Sequence, residues 1–329
     1  MFGRRKRINP VEVIKSFEQN LKKVNEKKDT RTVESALKEI KEQIAVLKTL
    51  LYGDPETPVQ PENVEIITKE VAETQIIAHM IHHLGLFDFE TRKNCTLVFS
   101  ALVHQAAPEN PVCQYLLSHT ELVVDLLLGC SNPDLALQYG SMFRECLRIL
   151  DIAKFVLYSP HFYKLFDYNQ LENFELASDA FLSLKDILTR HKPLVAEFLQ
   201  ANHRPFFAKY KELLVSQNYA TRRQSVKLLG ELLYERSNYY TMTTYIDDPQ
   251  NLKTIMNLLR DEAKTIQFEA FHVFKIFVVN PNKPDKIKAI LLNNKEKLIS
   301  YLTNFHNERA DDEQFVQEKQ LLLKEIGKL

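Results

Sequence analysis

Apolar residues recur along this chain at three- and four-residue steps in nearly every window, the period of helices buried on one face. Residues 10–52 read as two helices interrupted near "NEKKDTR". The second carries Leu37, Ile40, Ile44, Leu47 and Leu51 along one stripe. "YGDPETPVQPEN" breaks the pattern with three prolines and a glycine and is the clearest predicted loop. From Val64 onward the periodicity predicts one helix after another, separated by short signals such as "LGLFD", "APENP", "SNPD", "YSP", "SQNY", "DDPQN" and "NPNKPD".

The helices also resemble one another. "NFELASDAFLSLKDIL" from Asn173, "NYATRRQSVKLLGELL" from Asn218 and "AKTIQFEAFHVFKIFV" from Ala263 align without gaps. The alignment superposes Ala180, Ser225 and Ala270, then Leu184, Leu229 and Phe274, then Ile187, Leu232 and Phe277. "NPDLALQYGSMFRECL" from Asn132 joins at a slightly shorter step, and "DFETRKNCTLVFSALV" from Asp88 joins more weakly. A period of about 45 residues with two or three helices per unit is the signature of HEAT and armadillo arrays, in which each repeat buries its apolar face on its neighbours. The expectation is an all-α, right-handed α-solenoid of about six armadillo/HEAT-like repeats. Residues 10–329 would form that single domain, and residues 1–9 a basic disordered tail. An unrelated multi-helix bundle is the alternative that the repeat register disfavours.

Composition agrees: only 7 glycines and 13 prolines punctuate 329 residues, too few breakers for many short strands and turns. Lys+Arg and Asp+Glu balance at 43 each, so no chain-wide field attracts nucleic acid or anionic lipid. Cys95, Cys113, Cys130 and Cys146 lie far apart inside apolar helical patterns and read as reduced core thiols. "MFGRRKR" leads into no apolar run of signal-peptide length, its glycine is third instead of second, and no stretch has the apolar length of a membrane span. The expected location is the cytoplasm, with Arg4 to Arg7 as a solvated tail.

No phosphate-cradling glycine loop, nucleophile elbow or zinc-protease motif occurs. "HMIHH" places His79 and His83 one helical turn apart, with His82 between, but no carboxylate or thiol nearby completes a metal set. Asp311 and Asp312 read as a solvated link into the last helix. The expectation is a protein that is no enzyme and takes no cofactor or metal.

What remains is surface, and the stretch from Thr221 to Tyr240 stands out for its cations. On a wheel of about 100° per residue, Ser225, Leu228, Leu229 and Leu232 share a packed side, flanked by Val226 and Leu233. Arg223, Lys227, Gly230 and Tyr234 share the opposite side. Ser225 is therefore expected in the core, which counts against "RRQS" as an accessible phosphorylation site. Arg223 and Lys227 project along one line, as a solvated pair with Glu231 four residues on, or as a binding wall. One repeat later the matching positions are Phe268 and His272, with Phe271 close by, so aromatic residues are expected on the same wet groove face as the cations. Arg222 and Arg236 both fall toward the packed side, and Arg236 would snorkel or emerge between repeats.

"ILTRHKPLVAEFL", "RRQSVKLLGELL", "MNLLRDEAKTIQFEAFHVFKIFVVNPNK" and "DDEQFVQEK" closely resemble the calcium-binding protein 39 family of armadillo-like kinase scaffolds. The likeness runs from about Val11 to the C-terminus, strongest from Phe174 to Lys283 and weakest before Asp88. It implies a non-catalytic scaffold and kinase activator. The partners it implies are protein kinases and pseudokinases: the STRAD pseudokinase with liver kinase B, sterile-twenty-like kinases of the germinal-centre type, and NDR kinases in fungal morphogenesis. It implies a monomer within a hetero-complex and no nucleic acid. Despite the family's name it does not imply calcium binding, and no DxDxDG loop is present.

The resemblance also implies two sites. Arg223, Lys227 and Met256 match a pocket that receives a Trp-Glu-Phe tail of the pseudokinase. Phe174, Tyr219 and Arg236 match the concave surface that holds the αC helix of a kinase fold. Where a lysine is expected late in the pocket region, the chain has Asn293, with Lys295 two residues on. The rival class is an armadillo adaptor for cargo or RNA with no kinase role. RNA-reading repeats would carry base-reading side chains in every repeat, and only the C-terminal repeats here look equipped.

Overall fold

In the computed structural model the chain is all-α, and the structure describes residues 8–26, 29–54, 58–104 and 110–329. The basic tetrad Arg4 to Arg7 and parts of the predicted breaks at 25–31, 52–63 and 107–111 lie outside the described residues. Among the described residues no strand forms, and twenty α-helices follow one another. After a leading pair, Pro10–Asn25 and Thr30–Tyr52, they fall into six triplets in which a longer third helix usually follows two shorter ones. The repeat architecture read from the sequence is thus realised as three helices per repeat.

Contact density separates two compact units, Met1–Ile187 and Leu188–Leu329. In the first, the leading helices bury Ile14, Phe17 and Leu21 against Ile40, Ile44 and Leu47. The expected loop after Tyr52 ends earlier than its composition suggested, because Pro61 opens the helix Pro61–Ala72. Proline is preorganised for a first helical turn, where its missing N–H costs nothing. The Thr30–Tyr52 helix packs on Phe89–His104, and that helix packs on Ala136–Cys146. Arg144 continues this row by donating to both carboxylate oxygens of Asp179, at 3.0 and 2.9 Å, and to Ser183 Oγ at 2.9 Å. Asp179 lies on the helix Phe174–Thr189, and the helices approach so closely that a Cβ on Gly140 would overlap its carboxylate.

In the second unit the third helices Tyr219–Tyr234, Lys264–Val279 and Glu313–Gly327 pack in succession. The aligned positions are core in each repeat: Ser225, Leu229, Ala270 and Phe274 are all fully buried. Ser225 donates to the Thr221 carbonyl, and its own carbonyl accepts from Tyr210 Oη at 2.8 Å, so the "RRQS" serine is closed to a kinase.

Three wheel-based expectations are corrected here. Gly230, assigned to the wet side, is buried with Val273 of the next third helix beside it. A helix stacked between two repeats is covered on more than the one stripe that a single wheel recognises. Phe271, expected on an open aromatic wall, is instead buried, and Phe268 and His272 beside it are half-buried. The last helix brings Phe315 within 5.4 Å of the Phe268 ring and 5.1 Å of the Phe271 ring, while Arg309 lies 3.9 Å over Phe268. A terminal repeat has no following repeat to bury its apolar face, so the final helix takes that role. Arg236, placed toward the packed side, is exposed: the helix stops at Tyr234, and Arg236 begins a short 3-10 turn, Arg236–Asn238.

The four cysteines are free and buried, and burial pushes the thiols of Cys95 and Cys130 up to about 12. Thiols this poor in thiolate are unreactive.

Candidate functional site

The helix Tyr219–Tyr234 starts cleanly because the Asn218 side chain accepts from the N–H groups of Ala220 and Thr221. Its neighbouring arginines then diverge. Arg222 is mostly buried and donates from Nε to Asp261 at 2.9 Å and from Nη1 to the Ser216 carbonyl at 2.6 Å. Asp261 in turn accepts from the Ala263 N–H, at the start of the next third helix. Arg222 is thus a tie between repeats, a role that the sequence left unassigned.

Arg223 and Lys227 are exposed one turn apart, and neither side chain makes a hydrogen bond or ion pair among the described residues. Of the two readings that their spacing allowed, the pairing of Lys227 with Glu231 does not form. This contrasts with other cations on the same row of helices. Lys264 pairs with Glu308 at 2.8 Å and Lys275 with Glu318 at 2.5 Å, and in the first unit Lys41 pairs with Asp88 at 2.7 Å. The Lys41 ammonium holds the Asp88 carboxyl down at about 2, helped by the Thr91 N–H.

Met256 is half-buried on the helix Pro249–Leu258. That helix and Tyr219–Tyr234 both pack against Lys264–Val279, which is their common support. The structure therefore brings Arg223 and Lys227 together on one face and carries Met256 on a separate helix of the same unit. Asn293 is exposed at the end of Asp285–Asn293. Lys295 does not replace the expected lysine as a free cation, since its ammonium donates to the Gly327 carbonyl at 2.8 Å.

Tyr219 is 45% exposed, and its hydroxyl shares a 2.7 Å hydrogen bond with Thr265 Oγ1 of the following repeat, so the ring is held at the surface. Arg236 is presented by a turn that three contacts fix. Asn238 Nδ2 donates to the Leu232 carbonyl, and Glu235 accepts from the Ser237 N–H and from Lys192 at 2.7 Å. The Lys192 hydrogen bond holds the Glu235 carboxyl below its usual range. The guanidinium itself has no partner among the described residues. In the first unit Phe174 opens its helix 63% exposed, a large apolar side chain with nothing over it among the described residues.

Sequence reasoning missed Phe89, 74% exposed at the start of Phe89–His104, and the exposed pair Tyr239 and Tyr240 just after Arg236. Phe89 was discoverable, because the weaker alignment from Asp88 places it on the position of Phe174 and Tyr219. The tyrosines carried no signal, since their exposure follows from where the helix stops.

The three histidines of "HMIHH" are occupied within the fold. His82 Nε2 lies 2.9 Å from Asp125, while His83 contacts the His79 carbonyl and Asn25. Burial and the neighbouring rings lower the basicity of His79. Among the described residues no group of three or more His, Cys, Asp or Glu is placed to hold a metal ion, and no helix is long and apolar enough to cross a membrane.

The sequence pattern of the family described as Mo25-like matches residues 1–329. Calcium-binding protein 39-like from Homo sapiens is 44% identical over 322 residues, covering 98% of this chain and 95% of that protein. MO25-like protein 2 from Caenorhabditis elegans is 44% identical over 333 residues, covering 100% of this chain and 98% of that protein. Mo25-like protein from Schizosaccharomyces pombe is 38% identical over 319 residues, covering 97% and 96% of the two chains. Identity of this order over nearly the full length of proteins from an animal, a nematode and a yeast leaves one assignment: this chain belongs to the Mo25-like family.

Proposed function

We propose that this chain is a non-catalytic scaffold that receives the C-terminal tail of a pseudokinase and holds the αC region of a kinase fold, stabilising the active kinase conformation. The observation that carries the reading is the unpaired pair Arg223 and Lys227, on a row of helices where Lys264 and Lys275 are paired. Two exposed cations without a protein counter-ion among the described residues attract an anion, and a carboxylate is the group that a guanidinium binds with two parallel hydrogen bonds. A tail ending Trp-Glu-Phe would bring a glutamate and a terminal carboxylate to them. Met256, with its flexible thioether, would adapt to the aromatic rings.

Phe174, Tyr219 and Arg236 are proposed as contacts for the αC helix, each on its own exposure and on its place at a helix start or turn. A scaffold that binds αC better in its active pose draws a kinase toward that pose by population shift. A tenfold preference is worth about 1.4 kcal/mol. In cells the partners would be liver kinase B with a STRAD-like pseudokinase, or sterile-twenty-like and NDR kinases, in the cytoplasm.

Fluorescence polarisation of a labelled Trp-Glu-Phe-ending peptide tests the tail site. The Arg223→Ala, Met256→Ala double variant is expected to weaken binding by roughly tenfold or more, the loss of a charge-assisted contact plus apolar burial. Unchanged affinity sinks the assignment. Kinase activation that survives Phe174→Ala with Arg236→Ala sinks the αC contacts. Affinity for single-stranded RNA that falls steeply with salt, with no effect on kinases, would favour the rival adaptor.

A further inference from the structure

An open cavity of about 1210 Å³ lies in the first unit beside the helix Ile76–His82, and Asn25, His79 and His83 meet in its lining. The two imidazoles are 7% and 9% exposed, one helical turn apart, with ring centres separated by 5.4 Å. Asn25 is the last residue of the helix Pro10–Asn25, and its amide reaches both rings. Oδ1 lies 2.8 Å from His83 Nε2, and Nδ2 lies 3.4 Å from His79 Nδ1. The other His83 nitrogen, Nδ1, lies 3.0 Å from the His79 carbonyl. One side-chain amide thus fastens the end of the first helix to the Ile76–His82 helix.

The donors and acceptors allow two complete arrangements. A carbonyl only accepts, so His83 Nδ1 carries a proton in both. With Oδ1 facing His83 Nε2, that nitrogen donates too and the ring holds two protons. Nδ2 then donates to a neutral His79, whose own proton sits on Nε2. With the amide turned over, Nδ2 donates to an unprotonated His83 Nε2, and Oδ1 accepts from His79 Nδ1. The two arrangements differ by one proton, and both satisfy Asn25. A second charge fits neither: two imidazolium N–H groups would face an amide with a single accepting oxygen.

The surroundings do little for that second charge. On the first helix Glu18 is tied to Lys22 at 2.9 Å. Lys69 and Glu73, at the end of the helix Pro61–Ala72, are exposed and screened by solvent, as is Glu121. Asp125, on the helix Thr120–Gly129, is engaged by His82 at 2.9 Å, and His119 just before that helix lies against the Tyr115 carbonyl. Burial pushes the phenols of Tyr115 and Tyr139 away from ionising. Burial, then the His83 and His82 rings and Lys22, lower the basicity of His79, while Glu18 acts the other way.

We infer that Asn25, His79 and His83 form a proton-gated latch, closed while at most one of the two imidazoles is charged and open when both are. The folded protein resists the second proton and the unfolded chain does not. The latch therefore contributes fully above about pH 6.5, the ordinary histidine value, and is lost as pH falls below it. Opening frees the last turn of the first helix, while Ile14, Phe17 and Leu21 keep the rest of that helix docked.

Hydrogen exchange and histidine nitrogen NMR of the full chain test the latch. Protection factors, which are corrected for the intrinsic effect of pH, are expected to fall roughly tenfold for residues 21–25 between pH 7.5 and 5, the loss of one hydrogen-bonded contact. Asn25→Asp supplies two accepting oxygens, so both imidazolium rings can donate and protection should hold through the same range. Asn25→Ala should be poorly protected at both pH values. In wild type the His79 proton should move from Nδ1 to Nε2 as His83 gains its second proton. Wild-type protection that ignores pH, an Asn25→Asp chain that loosens in acid as wild type does, or an Asn25→Ala chain protected like wild type at pH 7.5 overturns the inference.

Discussion

The segments Arg223–Lys227 and Phe268–His272 occupy the same register one repeat apart, yet the structure treats them in opposite ways. The first presents two exposed cations with no counter-ion among the described residues. The second presents aromatics that Phe305, Phe315 and Arg309 cover. In a helical array the fate of a face is set by what stacks next, and the last repeat must be closed by something other than a repeat. The aromatic residues that look like a binding wall in the sequence are cap contacts, and the neighbouring cations are left as the accessible feature.

The largest expected effect comes from opening the cap. Phe315→Ala removes a ring that is 2% exposed and should cost about 3–5 kcal/mol in urea unfolding, with dye binding to the uncovered aromatics. An effect below about 1 kcal/mol would mean that the last helix seals nothing. Next, adjacent arginines should separate cleanly. Arg222→Ala strands the mostly buried Asp261 carboxylate and should destabilise by about 2 kcal/mol, whereas Arg223→Ala should change stability by less than about 0.5 kcal/mol while weakening tail-peptide binding.

Smaller effects sharpen the same contrast. His272 and His306 both titrate below their ordinary value because of burial beneath the cap. The unfolded chain therefore takes up protons that the folded chain refuses once pH falls below about 6.5, so stability is full above that value and is lost on acidification. The urea midpoint should fall between pH 7.5 and 5.5, and less so in His306→Gln. A midpoint that rises over this range would contradict the neutral rings. Smallest of all, Gly230→Ala places a Cβ at an ordinary 3.7 Å from Val273 and should stabilise by up to about 1 kcal/mol, while the same change at Gly140 meets Asp179 and should destabilise. Thermal unfolding of the two variants reads both signs.

The repeat register was legible because burial imposes one apolar pattern on every third helix, and Ala180, Ser225 and Ala270 sit in the core as their alignment implies. What stayed hidden depends on contacts from other parts of the chain. The wheel could not know that a second repeat covers Gly230, or that the helix ends before Arg236 and so frees it from the packed side. It also could not know that residues some 40 positions downstream fold over Phe268. Of the candidate sites, the shared line of Arg223 and Lys227 was readable from their spacing alone, but their lack of partners was not. Glu231 sits at the right interval for an ion pair that does not form.

The most direct measurement of the central claim, that Arg223 and Lys227 are held open for a carboxylate, is a double-mutant cycle by calorimetry. Wild type and the Arg223→Ala, Lys227→Ala variant would each be titrated with a Trp-Glu-Phe-ending peptide as the free acid and as the C-terminal amide. The account predicts that amidation weakens wild-type binding by roughly tenfold and the variant hardly at all, a coupling of about 1 kcal/mol or more. Equal losses in both proteins would show that the two cations do not receive the carboxylate and would contradict the account.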